Sequence, residues 1–136
     1  MKKLIMSRVD HVRILKWVND ASDMNTISVK EAENLLNELN SAKIVEPRDV
    51  PANLVTMNSE VKIRFLNTNK QIQFRIVYPD QADVKKNRIS IFSPVATALI
   101  GNSINDEIEW LIPSGMTTIR IEEILYQPEA AGDYTL

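Results

Sequence analysis

The hydrophobic residues change their period once along this chain, and two prolines mark the place. Before Pro47 and Pro51 the apolar residues recur at helical spacing, and after them they alternate with polar ones. A chain of 136 residues with a single switch of this kind suits one domain, or one domain plus a small appendage, the first part helical and the rest built on strands.

The helical part reads as two short helices. Ser7 is placed to cap the first, with Asp10 three residues on, and Val9, Val12, Leu15 and Val18 supply an apolar stripe at spacing three. The polar run from Asn19 to Thr26 reads as the connecting loop. Ser28-Val29-Lys30-Glu31 is a capping box for the second helix, whose stripe is Ala32, Leu35, Leu36 and Leu39. Helices this short are marginal alone, so their stripes must pack on each other in an antiparallel hairpin over residues 1–46. Glu46-Pro47-Arg48-Asp49-Val50-Pro51 cannot continue a helix, which makes 47–51 the linker to a second unit at 52–136.

In that second unit Val61, Ile63 and Phe65 alternate with Lys62 and Arg64, and Ile72, Phe74 and Ile76 with Gln73 and Arg75. Asn67-Thr68-Asn69-Lys70 is the hairpin turn between them. Ile89 and Ile91 flank Ser90, and Ile108, Trp110 and Ile112 alternate with Glu107 and Glu109. Ile119 and Ile121 open a last strand whose phase shifts at Glu122-Glu123, as at a bulge. Ser93 to Gly101 breaks the rhythm, with Ser as cap, Pro at the first helical position and Gly at the stop. The predicted fold class is therefore α+β, an antiparallel sheet with one packed face covered by one short helix.

Composition narrows the function. A hydrophobic share of 44% supports a packed core, and a net charge of −2 argues against holding nucleic acid by neutralising phosphates or lying on a membrane surface. The apolar start ends at Ser7-Arg8, short of a signal sequence, and no run approaches a membrane span, so a soluble cytoplasmic protein is expected. With no cysteine and one histidine, thiolate sites, His-based triads and multi-histidine metal sites are excluded; His11 reads as an ordinary boundary residue. The three isolated glycines leave no phosphate loop. Asp106, Glu107, Glu109, Glu122 and Glu123 read as a solvated sheet face. Asp20 and Asp23, at the expected tip of the hairpin, suit either a polar turn or a shared Mg²⁺ with oxygens from a partner. Basic residues cluster between Lys62 and Arg88 and acidic ones in the last third, a bipolar pattern suited to steering onto a charged partner.

The stretch from Ile89 to Gly101, with its strand, Ser93-Pro94, small-residue helix and Leu99-Ile100-Gly101 ending, resembles the C-terminal domain of the Gre transcript-cleavage factors. The likeness continues through Asp106, Pro113, Gly115 and Ile124 to Tyr126. The ending Tyr126-Gln127-Pro128-Glu129-Ala130-Ala131-Gly132-Asp133-Tyr134 resembles instead the regulators of nucleoside diphosphate kinase, relatives of the Gre factors, as do Leu54 to Ser59 and Val77-Tyr78-Pro79. The resemblance implies an FKBP-like fold for the second unit and a short coiled-coil arm before it. It also implies docking on RNA polymerase near the secondary channel through Phe92, Ser93, Pro94 and Thr97. Phe92 stands where Gre factors often carry a polar or acidic residue, and Thr97 and Asn102 where they carry basic ones.

Gre arms bring acidic residues to the polymerase's catalytic metal. Helices of 12–15 residues span only about 18–22 Å, roughly half such an arm, so Asp20 and Asp23 are expected to stop short. The expectation is a non-enzymatic regulator without cofactor or bound metal, with no direct sequence-specific nucleic-acid binding. It would compete with Gre factors without stimulating cleavage and influence nucleoside diphosphate kinase levels. The implied fold leaves two alternatives, a peptidyl-prolyl isomerase and a cleavage accessory using the arm tip.

Overall fold

Alternation in the second half builds a five-stranded sheet with one apolar face. In the computed structural model, which describes residues 4–23, 29–112 and 115–133, its strands are β3 (Glu60–Phe65), β4 (Lys70–Val77), β5 (Arg88–Ser90), β6 (Glu107–Ile112) and β7 (Gly115–Tyr126), in the order β5-β4-β3-β7-β6. The chain begins with β1 (Ile5–Ser7), α1 (Arg8–Asp23), α2 (Val29–Ser41) and β2 (Lys43–Val45), and α3 (Pro94–Leu99) lies between β5 and β6. Ser28 of the expected capping box, Pro113 and Tyr134 lie outside the described residues.

The register explains the buried face. Val61 on β3 stands opposite Phe74 on β4 and Ile124 on β7, and Ile63 opposite Ile72 and Ile121. Phe65 faces Ile119, which in turn faces Ile108 on β6. Such cross-strand rows are the unit of sheet stability. The opposite face is polar, with Arg64 Nε 2.7 Å from Glu122 Oε1 and Arg120 3.8 Å from Glu107, so Glu107 and Glu122 form ion pairs there, whereas Asp106 accepts the Ser103 N–H in the turn before β6. Ile63 pairs with Ile121 and Lys62 with Glu123, which leaves Glu122 as the extra residue of the expected bulge. The strand itself starts earlier than Ile119, at Gly115.

The sheet is mixed rather than antiparallel. β5 runs parallel to β4, with Ile76 opposite Ile89, because the chain between them crosses over through two short 3-10 turns instead of a tight hairpin. Asn69, at φ 60°, closes the β3–β4 turn where the sequence placed it.

In the helical part α1 extends to Asp23, so Asn19 and Asp20 are helical and not loop. The buried stripe is Ile14, Val18 and Ala21, whereas Val12 is 56% exposed. Residues repeated strictly every third position drift by about 60° per step around a helix, so Val9 and Val18 cannot share a face. Ala32, Leu35 and Leu39 of α2 are buried as expected, with Leu36 against them. These side chains join Val61, Ile63, Ile76, Ile119 and Ile121 in one apolar cluster with Ala96, Leu99 and Ile100 around α3.

A parallel pair absent from the sequence reading closes the root of the helices. Ile5 of β1 lies opposite Lys43 of β2 and Ser7 opposite Val45. Gly101, at φ +81°, lets this pair approach the end of α3, and a Cβ there would stand 3.1 Å from Leu4 Cβ and 3.3 Å from Ile5 O.

Candidate functional site

The turn from β5 into α3 carries the residues that the resemblance singles out. Phe92 N–H donates to Ser90 Oγ at 3.0 Å and Ser93 N–H to Ser90 O at 2.9 Å, a tight turn that sends Pro94 outward. Pro94, at the first helical position, is exposed, while Phe92, Ser93 and Thr97 are half-buried. The Ser93 hydroxyl makes no capping bond, contrary to expectation. Instead Thr97 N–H donates to Ser93 O at 3.0 Å, and the Thr97 hydroxyl donates to Ile91 O at 2.9 Å. Thr97 therefore holds the turn in place, and its hydroxyl proton is committed before any partner arrives.

This turn forms one wall of a cleft of about 320 Å³ lined by Phe92, Pro94, Thr97 and Ala98 on one side and Asn34, Asn37 and Glu38 of α2 on the other. Spacings of three and four bring the α2 residues onto one helix face. Glu38 is half-buried, and burial pushes its carboxyl above the ordinary value. The participation of α2 was not legible in the sequence, because nothing local tells which helix face meets α3.

Asp20 is exposed in the last turn of α1, and Asp23 is the final residue of that helix. Among the described residues no group of three or more acidic, histidine or cysteine side chains is arranged to hold a metal. His11 is half-buried on α1.

The C-terminal signature folds back onto the chain. The Gln127 side chain, 4% exposed, donates from Nε2 to Pro51 O and to Leu54 O, both at 2.7 Å, and accepts the Ala130 N–H at 3.1 Å. Glu129 accepts the Thr56 hydroxyl at 2.7 Å, and the Tyr126 hydroxyl donates to Asp133 at 3.3 Å with Arg75 stacked 5.2 Å over its ring. Pro128 and Gly132 shape the loop, Gly132 at φ +76° with Asp133 N–H bonded to Pro128 O. Beneath Glu129 lies Asp10, 4% exposed, which accepts the Met57 N–H at 3.1 Å. Burial, helped by the charge of Glu129, raises its carboxyl to about 7. Burial also raises the Tyr78 phenol, with Asp10 adding to it.

The mixed sheet, its covering helix and the projecting Phe92–Pro94 turn define the class: this chain belongs to the family of transcription elongation factors GreA/GreB, C-terminal domain, which it matches over residues 50–126. Within that family it is 40% identical over 106 residues to the regulator of nucleoside diphosphate kinase of Escherichia coli K12, covering 77% of this chain and 78% of that protein. It is 33% identical over 98 residues to the transcription elongation factor GreA of Syntrophotalea carbinolica, covering 69% of this chain and 62% of that one. Among solved structures, a prokaryotic transcription elongation factor GreA/GreB from Nitrosomonas europaea superposes with a TM-score of 0.74 at 34% identity, over 93% of this chain and all of that one. No helix among the described residues is long and apolar enough to cross a membrane.

Proposed function

We propose that this protein is a cytoplasmic, non-enzymatic transcription regulator that docks on RNA polymerase near the secondary channel through the Phe92–Pro94 turn, competes there with Gre factors, and leaves transcript cleavage unstimulated. An effect on nucleoside diphosphate kinase levels would follow from altered transcription and needs no contact with the kinase. The observation that carries the proposal is the turn itself. It lies inside the family match at 50–126, is held by four hydrogen bonds within residues 90–97, and presents an exposed Pro94 beside the half-buried Phe92 ring. A rigid apolar anchor with a polar rim is the usual core of a protein interface.

A proline isomerase needs an aromatic-lined pocket, which an FKBP-like fold would have to supply. Phe74 and Tyr78 are buried in the core and Phe65 packs against it, and among the described lining residues of the α2–α3 cleft Phe92 is the one aromatic. The geometry thus favours docking. The test is a titration of fluorescently labelled protein against purified core RNA polymerase, with unlabelled GreA as competitor. Saturable binding displaced by GreA is expected. Absence of binding at micromolar polymerase would reject the proposal.

A further inference from the structure

The cleft between α2 and α3 is chemically lopsided. Phe92, Pro94 and Ala98 form an apolar side, and Asn34, Asn37 and Glu38 an oxygen-bearing one, with no lysine or arginine among the described lining residues. Glu38 is half-buried, and among the described residues no cation pairs with it. A carboxylate withdrawn from water and left without a counter-charge is an unfavourable arrangement in the isolated protein. It becomes favourable when an opposite charge enters. The volume, at the low end for ligand pockets, suits one long side chain better than a cofactor.

We infer that this cleft receives a single cationic side chain of RNA polymerase, best matched by arginine, whose stem lies on Phe92 and Pro94 while its head bonds Glu38 and the amide oxygens of Asn34 and Asn37. Arginine fits because its planar head presents five donors and its stem is apolar, matching an acceptor wall opposite an aromatic one. The docking surface then includes α2, so the helical pair takes part in recognition as well as packing. This inference rests on the polymerase-docking proposal and refines it.

The experiment compares the affinity of five full-length proteins for core RNA polymerase: wild type, Glu38→Gln, Glu38→Lys, Glu33→Gln and Phe92→Asp, with thermal melts to verify folding. Glu33 is exposed on the same helix and does not line the cleft, so it reports general electrostatic attraction. Glu38→Gln is expected to weaken binding about tenfold and Glu38→Lys further, with Glu33→Gln unchanged. Equal losses in Glu33→Gln and Glu38→Gln would mean diffuse attraction and overturn the inference. Wild-type affinity in both Glu38 variants, with Phe92→Asp impaired, would also overturn it while the docking proposal stands. If wild type itself does not bind, both fall together.

Discussion

Ser7 caps α1 by accepting the Asp10 N–H at 3.0 Å, and the Asp10 carboxylate turns to Met57 in the segment that leads into β3. That bond ties the helices to the sheet at a point where charge is poorly tolerated. Seclusion from water comes first among the causes, then Glu129, and the Met57 and Ser7 bonds and Arg13 only partly offset them. With its carboxyl raised from 3.8 to about 7, the folded protein holds this proton more tightly than the unfolded chain does. The stabilising contribution of the proton is complete below about pH 4, declines as pH rises towards 7 by up to about 1.4 kcal/mol per unit, and is gone above it. Asp10→Asn keeps an acceptor for Met57 and removes the ionisation. Urea unfolding of this variant from acidic to mildly alkaline pH is expected to lose that slope and to show higher stability than wild type near pH 8. An unchanged slope would show that Asp10 does not titrate in this range. At Gly101 the constraint is steric and conformational at once, so Gly101→Ala is expected to lose about 1–3 kcal/mol in the same assay.

Among the elements, the strands of the large sheet were legible because each has a face in the core and a face in water, which writes period two into the sequence. Residues 94–99 were legible from Pro94 and Gly101. The β1–β2 pair was not, because three residues such as Ile5-Met6-Ser7 carry no period and pair only once the intervening helices bring Lys43 back to them. Helical continuation through Asn19 and Asp20 was hidden for a similar reason. Both are exposed polar residues, and what keeps that turn helical is the burial of Val18 and Ala21 around them. The cleft was half legible: the Phe92–Pro94 turn came from resemblance, whereas Glu38 acquires its place only through the packing of α2 beside α3. The C-terminal loop teaches the same lesson from the other side, since its signature residues are engaged with their own chain. Gln127 Nε2 bonds the carbonyl of Leu54 and that of Pro51, which also accepts the Leu54 N–H at 3.2 Å, in the stretch that separates the helices from the sheet. Gln127→Ala removes the side-chain donor from the Leu54 carbonyl, a loss of about 1–3 kcal/mol when an acceptor is buried without a partner, and leaves Pro51 with the Leu54 N–H. The variant is expected to unfold at clearly lower urea, with faster hydrogen exchange at the Met57 and Ala130 amides. Wild-type stability would mean that water replaces the side chain without loss.

At the scale of the whole molecule, reach separates a competitor from a cleavage factor. α1 has 16 residues and α2 has 13, lengths of roughly 24 and 20 Å, and part of each is spent packing on the core through Ile14, Val18, Leu35 and Leu39. What remains to project is the polar end that carries Asp20. A carboxylate contributes to metal-assisted hydrolysis only when it arrives within bonding distance of the metal, and a helix pair that ends short contributes nothing however acidic its tip. On backtracked transcription complexes the protein is therefore expected to leave the intrinsic cleavage rate unchanged even at saturation. It is also expected to suppress GreA-stimulated cleavage in proportion to its own occupancy. On the competitor reading Asp20→Ala should suppress as well as wild type does, because suppression needs docking and not the tip, while Phe92→Asp should fail to suppress because it fails to dock. Acceleration by wild type that disappears in the double variant Asp20→Ala/Asp23→Ala would show that the tip reaches the metal after all, and would turn this protein from a competitor into a short-armed cleavage factor.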